Sequence, residues 1–165
     1  MALEIERRFL IKNNNWKKCI TKKIFIEQGY LSKSLDDWII RIRFTGQDYK
    51  IAIKKHIESF TNFEFEYSIP PEDGEIIMAN ISNTIKKERF FLEVENKSWI
   101  IDCFKENNYP LVIAEVELSN EKEDLRLPSF ISKEITGLKR YSNFRLSKKP
   151  FSKWKGDHLV TKRNN

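Results

Sequence analysis

Ionisable residues recur at every second position in most of the extended stretches of this chain, and this pattern narrows the folds open to it. In "EIERRFL" Glu4, Glu6 and Arg8 take one side of a strand, with Ile5, Arg7 and Phe9 on the other. Arg41 and Arg43 alternate with Ile40, Ile42 and Phe44, and Lys50 and Lys54 share a face with Ala52. Glu64 and Glu66 oppose Phe63, Phe65 and Tyr67. Lys87 and Arg89 share a face with Phe91 and Glu93, Asp102 faces away from Cys103, and Glu115 and Glu117 oppose Ala114, Val116 and Leu118. A single strand of this kind has one solvated face and one on a core. Six strands with a same-face pair, and a seventh with one such residue, need another explanation. A closed barrel supplies it: apolar faces turn outward beneath helices and loops, and ionisable faces line a wet interior.

Extended patterns run over 3–11, 25–32, 38–45, 49–55, 62–69, 86–95, 98–104 and 111–118. Gly46 in "TGQD" predicts a hairpin between the third and fourth. Helices are predicted within 13–23, from 71 toward 85 behind two prolines, and over 119–127 before Pro128. The fold class is therefore mainly β (α+β), an antiparallel barrel with a few helices packed outside.

Buried charges persist only when paired, metal-bound or ligand-bound. An interior holding Arg8, Arg41, Arg43, Lys54, Lys87 and Arg89 suits a polyanion, because guanidinium forks grip phosphate oxygens bidentately. Glu4, Glu6, Glu64, Glu66, Asp102, Glu115 and Glu117 would repel that anion unless a hard divalent cation sits between, which points to Mg²⁺ or Mn²⁺. The 165 residues carry a formal net charge of +6, which also favours an anionic partner. Cys19 and Cys103 have no metal-ligand spacing and read as reduced thiols of a cytoplasmic protein. His56 and His158 are isolated, so carboxylates, lysines and arginines must carry the chemistry. No apolar run is long enough to span a membrane.

These stretches resemble the CYTH domain, the superfamily of triphosphate tunnel metalloenzymes. "EIERRFLI" is similar to its ExExK signature, and the likeness continues through "EQGYLS", "RIRF", "IAIKK", "EFEYSI", "WIIDCF", "VIAEVEL" and "ITGLKRYSN". The resemblance implies a closed eight-stranded antiparallel barrel forming a tunnel, and a divalent-metal-dependent triphosphatase most like the small bacterial inorganic tripolyphosphatases. It implies metal held by Glu4, Glu6, Glu115 and Glu117, with Asp102 a further ligand. Phosphates would be bound by Arg8, Arg41, Arg43, Lys54, Lys87 and Arg89, and Lys139 or Arg140 would close the tunnel end. Glu64, Glu66 and Lys87 are its catalytic candidates. Arg8 departs from the signature lysine, and Asn62 stands near a position that is often basic.

The domain is expected over 1–147, with 148–165 as a basic extension. Thiamine or nucleoside triphosphates are alternative substrates, and cyclisation of ATP is a second reaction; Tyr30, Trp38 and Phe44 are the aromatics available to stack on a base. A non-catalytic polyphosphate binder is the alternative of another class. The basic tail reads as a solvated terminus rather than a nucleic-acid arm, and a homodimer is compatible with the sequence.

Overall fold

A computed structural model describes residues 3–34 and 36–154. The strands are β1 (Leu3–Ile11), β2 (Ile20–Tyr30), β3 (Ile39–Phe44), β4 (Tyr49–Glu58), β5 (Thr61–Ile69), β6 (Ile85–Val94), β7 (Lys97–Phe104), β8 (Val112–Glu117) and β9 (Ile131–Glu134). Among the described residues two α-helices, α1 (Pro71–Ala79) and α2 (Asn143–Lys148), accompany them. All pairings are antiparallel, in the order β5-β4-β3-β2-β6-β7-β8-β1, and Leu3 opposite Phe63 joins β1 to β5. The eight-stranded closed barrel is therefore present. β5 pairs only with Leu3–Ile5 of β1, and the added β9 takes the edge beyond it, with Phe9 opposite Glu134.

The barrel's outer face is apolar where something covers it. Phe9, Trp16, Trp99, Val116 and Phe130 form one buried cluster, with Trp99 at 5.8 Å from Phe9 and 6.3 Å from Phe130. Inside, three strands turn from charged to apolar along the same face. Ile85 lies two residues before Lys87, Phe104 two after Asp102, and Ile113 two before Glu115. With Tyr141 and Leu146 they form a second buried cluster that fills one end of the bore. Phe151 and Trp154 pack against this cluster. α1 lies so close to β4 that a Cβ on Gly74 would come within 2.2 Å of the Tyr49 ring. Gly46, at φ +94°, makes the β3–β4 turn, where Thr45 N–H donates to Asp48 O at 3.1 Å.

Four expectations need correction. Within 13–23 only a 3₁₀ turn forms, Asn15–Cys19, and Ile20 already begins β2. Trp16, Cys19 and Ile20 have the spacing of a helical face, but Ile20 is taken into the ladder with β6, opposite Leu92, and ends the turn there. Residues 119–127 form turns, because side chains take the backbone donors: Glu123 accepts from Ser119 N–H at 2.6 Å and Asn120 from Lys122 N–H at 3.0 Å. α1 stops at Ala79, where Asn80 caps it by donating from Nδ2 to Ile76 O at 2.8 Å. Finally, the outer face of β5 is uncovered among the described residues, with Phe63, Phe65 and Tyr67 at 39%, 37% and 58% exposure.

Candidate active site

Six strands send charged side chains into one cavity of about 580 Å³. Its lining carries seven carboxylates, Glu4, Glu6, Glu64, Glu66, Glu93, Glu115 and Glu117, against four cations, Arg41, Arg43, Lys54 and Arg89. Cross-strand register explains which meet. Lys54 lies opposite Glu64, and its ammonium bonds Glu4 and stands 3.5 Å from Glu64. Arg41 donates to Glu64 at 2.7 Å and to Glu66 at 3.2 Å, while Glu66 also accepts from Arg43 and, at 3.1 Å, from Lys50. Arg89 lies opposite Asp102 and grips it bidentately at 2.7 Å through both Nε and Nη2, and Nη2 also reaches Glu115 at 3.1 Å. Arg8, opposite Glu115, donates to it from Nε at 3.0 Å.

Every inward cation thus has an acidic partner, yet the pairing is incomplete. Nη2 of Arg8 and Nε of both Arg41 and Arg43 are buried with no hydrogen-bond partner. A guanidinium nitrogen only donates, so these atoms call for added acceptor oxygens.

Glu4 and Glu6 titrate in the opposite sense to Glu64, Asp102 and Glu115; burial and Asp102 oppose ionisation of Glu115, and Arg8 and Arg89 lower it. Burial and repulsion from Glu6 push Glu4 up to about 8 against the pull of Lys54. Glu6 is raised by burial and by Glu115. For Glu64 burial acts upward, but Arg41 and Lys54 hold it down at about 2. Burial likewise opposes ionisation of Asp102, and Arg89 and Lys87 overcome it to hold its carboxyl well below the usual range. Lys87 falls to about 8 through burial and the nearby Arg89 charge, with Asp102 resisting.

The structure brings Glu4, Glu6, Arg41, Arg43, Lys54, Glu64, Glu66, Arg89, Glu115 and Glu117 together around the cavity. Lys87 and Asp102 stand behind that lining, fully buried and bonded at 2.5 Å, and Arg8 reaches it through Glu115. Lys139 and Arg140 are elsewhere. Lys139 borders a second cavity of about 430 Å³ and is 4.0 Å from Asp36. The Arg140 guanidinium stacks 4.0 Å above Trp154. Both precede Tyr141, which enters the core.

Asn143, at the start of α2, lines the charged cavity instead, with Phe91, Glu93 and Ser98. Phe91 and Glu93 were legible, since they continue the face of Lys87 and Arg89; Asn143 sits in a turn without periodicity. Tyr30 packs edge-on to Phe144 at 5.4 Å and accepts from Gln28 at 2.7 Å. Trp38 pairs with Phe65 and Phe44 with Tyr49, so none of these three aromatics is among the cavity's lining. His56 is on strand β4 and borders the second cavity.

The donor set is all oxygen, as a hard divalent cation requires. Seven carboxylates beside four cations also leave the lining acidic, a poor home for a polyanion without added positive charge. Burial raises Glu4 and Glu6 first and the neighbouring carboxylates raise them further, and that second effect is what such a cation would relieve. Among the described residues no three His, Cys, Asp or Glu side chains already converge as a metal cluster.

No family model matches the chain. It is 31% identical over 157 residues to an inorganic triphosphatase of Acetivibrio thermocellus, covering 94% of this chain and 99% of the relative. An inorganic triphosphatase of Nitrosomonas europaea is 26% identical over 144 residues, covering 85% and 93%. The crystal structure of the inorganic triphosphatase NE1496 superposes with a TM-score of 0.66, at 26% identity, over 89% of this chain and 95% of that one. The closed barrel with opposed acidic and basic walls is that of the CYTH superfamily of triphosphate tunnel proteins. Within it, the chain belongs to the inorganic triphosphatase family of hydrolases.

Proposed function

We propose that the chain hydrolyses the terminal phosphate of inorganic tripolyphosphate in its charged cavity, with Mg²⁺ or Mn²⁺. The unpartnered guanidinium donors of Arg41 and Arg43 carry this reading, because phosphate oxygens are the acceptors they lack. Arg41, Arg43, Lys54 and Arg89 bind the triphosphate, and Glu4, Glu6, Glu115 and Glu117 hold the metal ions. The metal, when bound, neutralises phosphate charge and lowers the pKa of a coordinated water.

Phosphoryl transfer through a loose transition state asks mainly for positioning and charge stabilisation, which the basic wall supplies. Glu64, held at about 2, is a weak proton acceptor. It and Glu66 instead orient Arg41 and Arg43. Lys87 acts from behind, on Asp102 and Arg89, and so does Asp102, which has no free face for a metal. Nucleoside and thiamine triphosphates are secondary substrates in this reading. In this reading the exposed face of Phe63, Phe65 and Tyr67 is where a second copy of the chain would pack.

No helix among the described residues is long and apolar enough to cross a membrane, and a cytoplasmic location accords with the reduced cysteines. The domain is read over 1–147, with Phe151 and Trp154 of the basic extension packed against its second cluster; the extension's residues from 155 on lie outside those described. The test is phosphate release from tripolyphosphate, ATP and thiamine triphosphate with Mg²⁺, Mn²⁺ or EDTA. Metal-dependent release, fastest on tripolyphosphate and lost in Glu117→Gln, is the expected result; silence on all three with either metal refutes the reading.

A further inference from the structure

The C-terminal segment meets the cavity through an uncharged side chain. Asn143 is the first residue of α2, whose backbone is fixed on both sides: Ser142 accepts from Arg145 N–H at 3.2 Å, and Phe144 and Leu146 are buried. The Lys87 ammonium, itself buried against Asp102, lies 3.3 Å from Asn143 Oδ1. An ammonium only donates, so this contact fixes the carboxamide with its oxygen toward Lys87. Nδ2, with two N–H donors, is then the opposite prong, and among the described residues it makes no hydrogen bond.

A continuous chain of bonds results, Arg89 to Asp102 to Lys87 to Asn143. Only its two ends line the cavity. The buried pair in the middle ties a charged fork on β6 to a neutral donor on α2. An amide donor in such a place adds an acceptor-seeking group without adding charge, at the side of the cavity next to the apolar cluster that holds Leu146.

We propose that Asn143 is a substrate-binding residue: its Nδ2 donates to a phosphate oxygen of the triphosphate, while Lys87 and Asp102 act as positioning residues for Asn143 and Arg89. This rests on reading the cavity as a triphosphate site.

The rival role for Asn143 is to anchor Lys87 alone, and Asn143→Asp separates the two. Aspartate keeps an acceptor toward Lys87 but has no donor for phosphate and adds a negative charge, whereas Asn143→Ala loses both groups without adding charge. Each full-length variant is assayed for steady-state hydrolysis of tripolyphosphate with Mg²⁺ and for binding of imidotriphosphate with Mg²⁺ by calorimetry. Thermal melts confirm that each is folded. The expected result is a KM raised about tenfold or more in both variants, with kcat changed less and imidotriphosphate affinity falling in step. A wild-type KM and affinity in Asn143→Asp overturns the proposal, whether or not Asn143→Ala is impaired. A wild-type protein that binds imidotriphosphate without hydrolysing tripolyphosphate refutes the triphosphatase reading, while the affinities still decide Asn143. If wild type does not bind it either, both fall.

Discussion

Glu6 and Glu117 stand directly opposite each other in the β1–β8 ladder and line the same cavity. Facing carboxylates cost a sheet roughly 0.2–1 kcal/mol when both are ionised, so the metal-free protein carries a local penalty at the place proposed for metal. Glu117→Gln is expected to raise the melting temperature of the metal-free protein while abolishing metal-dependent phosphate release. A variant less stable than wild type in EDTA would mean the pair is not strained.

Added divalent cation is expected to stabilise the fold by mass action, because the native state presents the carboxylates together and the unfolded chain does not. At about a hundredfold excess over Kd the gain is about 2.7 kcal/mol. Thermal melts in EDTA and in millimolar Mg²⁺ or Mn²⁺ read it directly, and equal midpoints would remove the metal site from the cavity.

The acidic wall sets a pH window. Glu4 rises from 4.5 to about 8 in the folded protein, so between those values the native state holds a proton that the unfolded chain releases. Its contribution is fully present below the unfolded value and is lost as pH rises through about 8. Metal-free protein is therefore expected to lose stability from pH 5 to pH 8, about the two reference points of that window, with Glu4→Gln flattening the slope. Glu64 acts in the opposite sense only at acid pH, as the pH falls toward about 2. An unchanged slope in Glu4→Gln would discard the assignment.

Arg89→Lys should separate charge from geometry. Lysine retains the positive charge but cannot make the bidentate grip on Asp102 while also reaching Glu115. A rise in KM for tripolyphosphate of about tenfold is expected, since charge-assisted bonds of this kind are worth about 1.5–3 kcal/mol each. Kinetics indistinguishable from wild type would show that the fork is dispensable.

Gly74→Ala tests the scaffold away from the site. Its Cβ would sit 2.2 Å from the Tyr49 ring, so α1 or β4 must shift. Overpacking of this kind costs about 1–3 kcal/mol, visible in urea melts, and KM should stay at the wild-type value. A stability equal to wild type would show that α1 moves away freely.

The inward face of each charged strand was readable because the side-chain period of a strand is two, and a charge on a β-strand declares its face without help from distant residues. Arg41, Glu64 and Glu115 needed nothing more. Depth along the bore was not readable. Lys87 and Arg89 share a face, yet only cross-strand stagger puts Lys87 behind the lining and Arg89 on it. β9 escaped notice because four residues with one buried apolar side chain show no period. The segment carrying Lys139 and Asn143 is a turn and a short helix, where neither period applies, so composition drew attention to the cations and missed the amide.

The internal ion pairs give the barrel a set of resident competitors. Each arginine that would grasp a ligand already holds a glutamate, so ligand affinity is a difference between two grips rather than a sum of contacts. Substrate preference in such a protein can drift through its acids: shortening or neutralising a glutamate frees a cation without touching it. Descendants of one barrel can thus part company while every residue that meets the ligand stays the same.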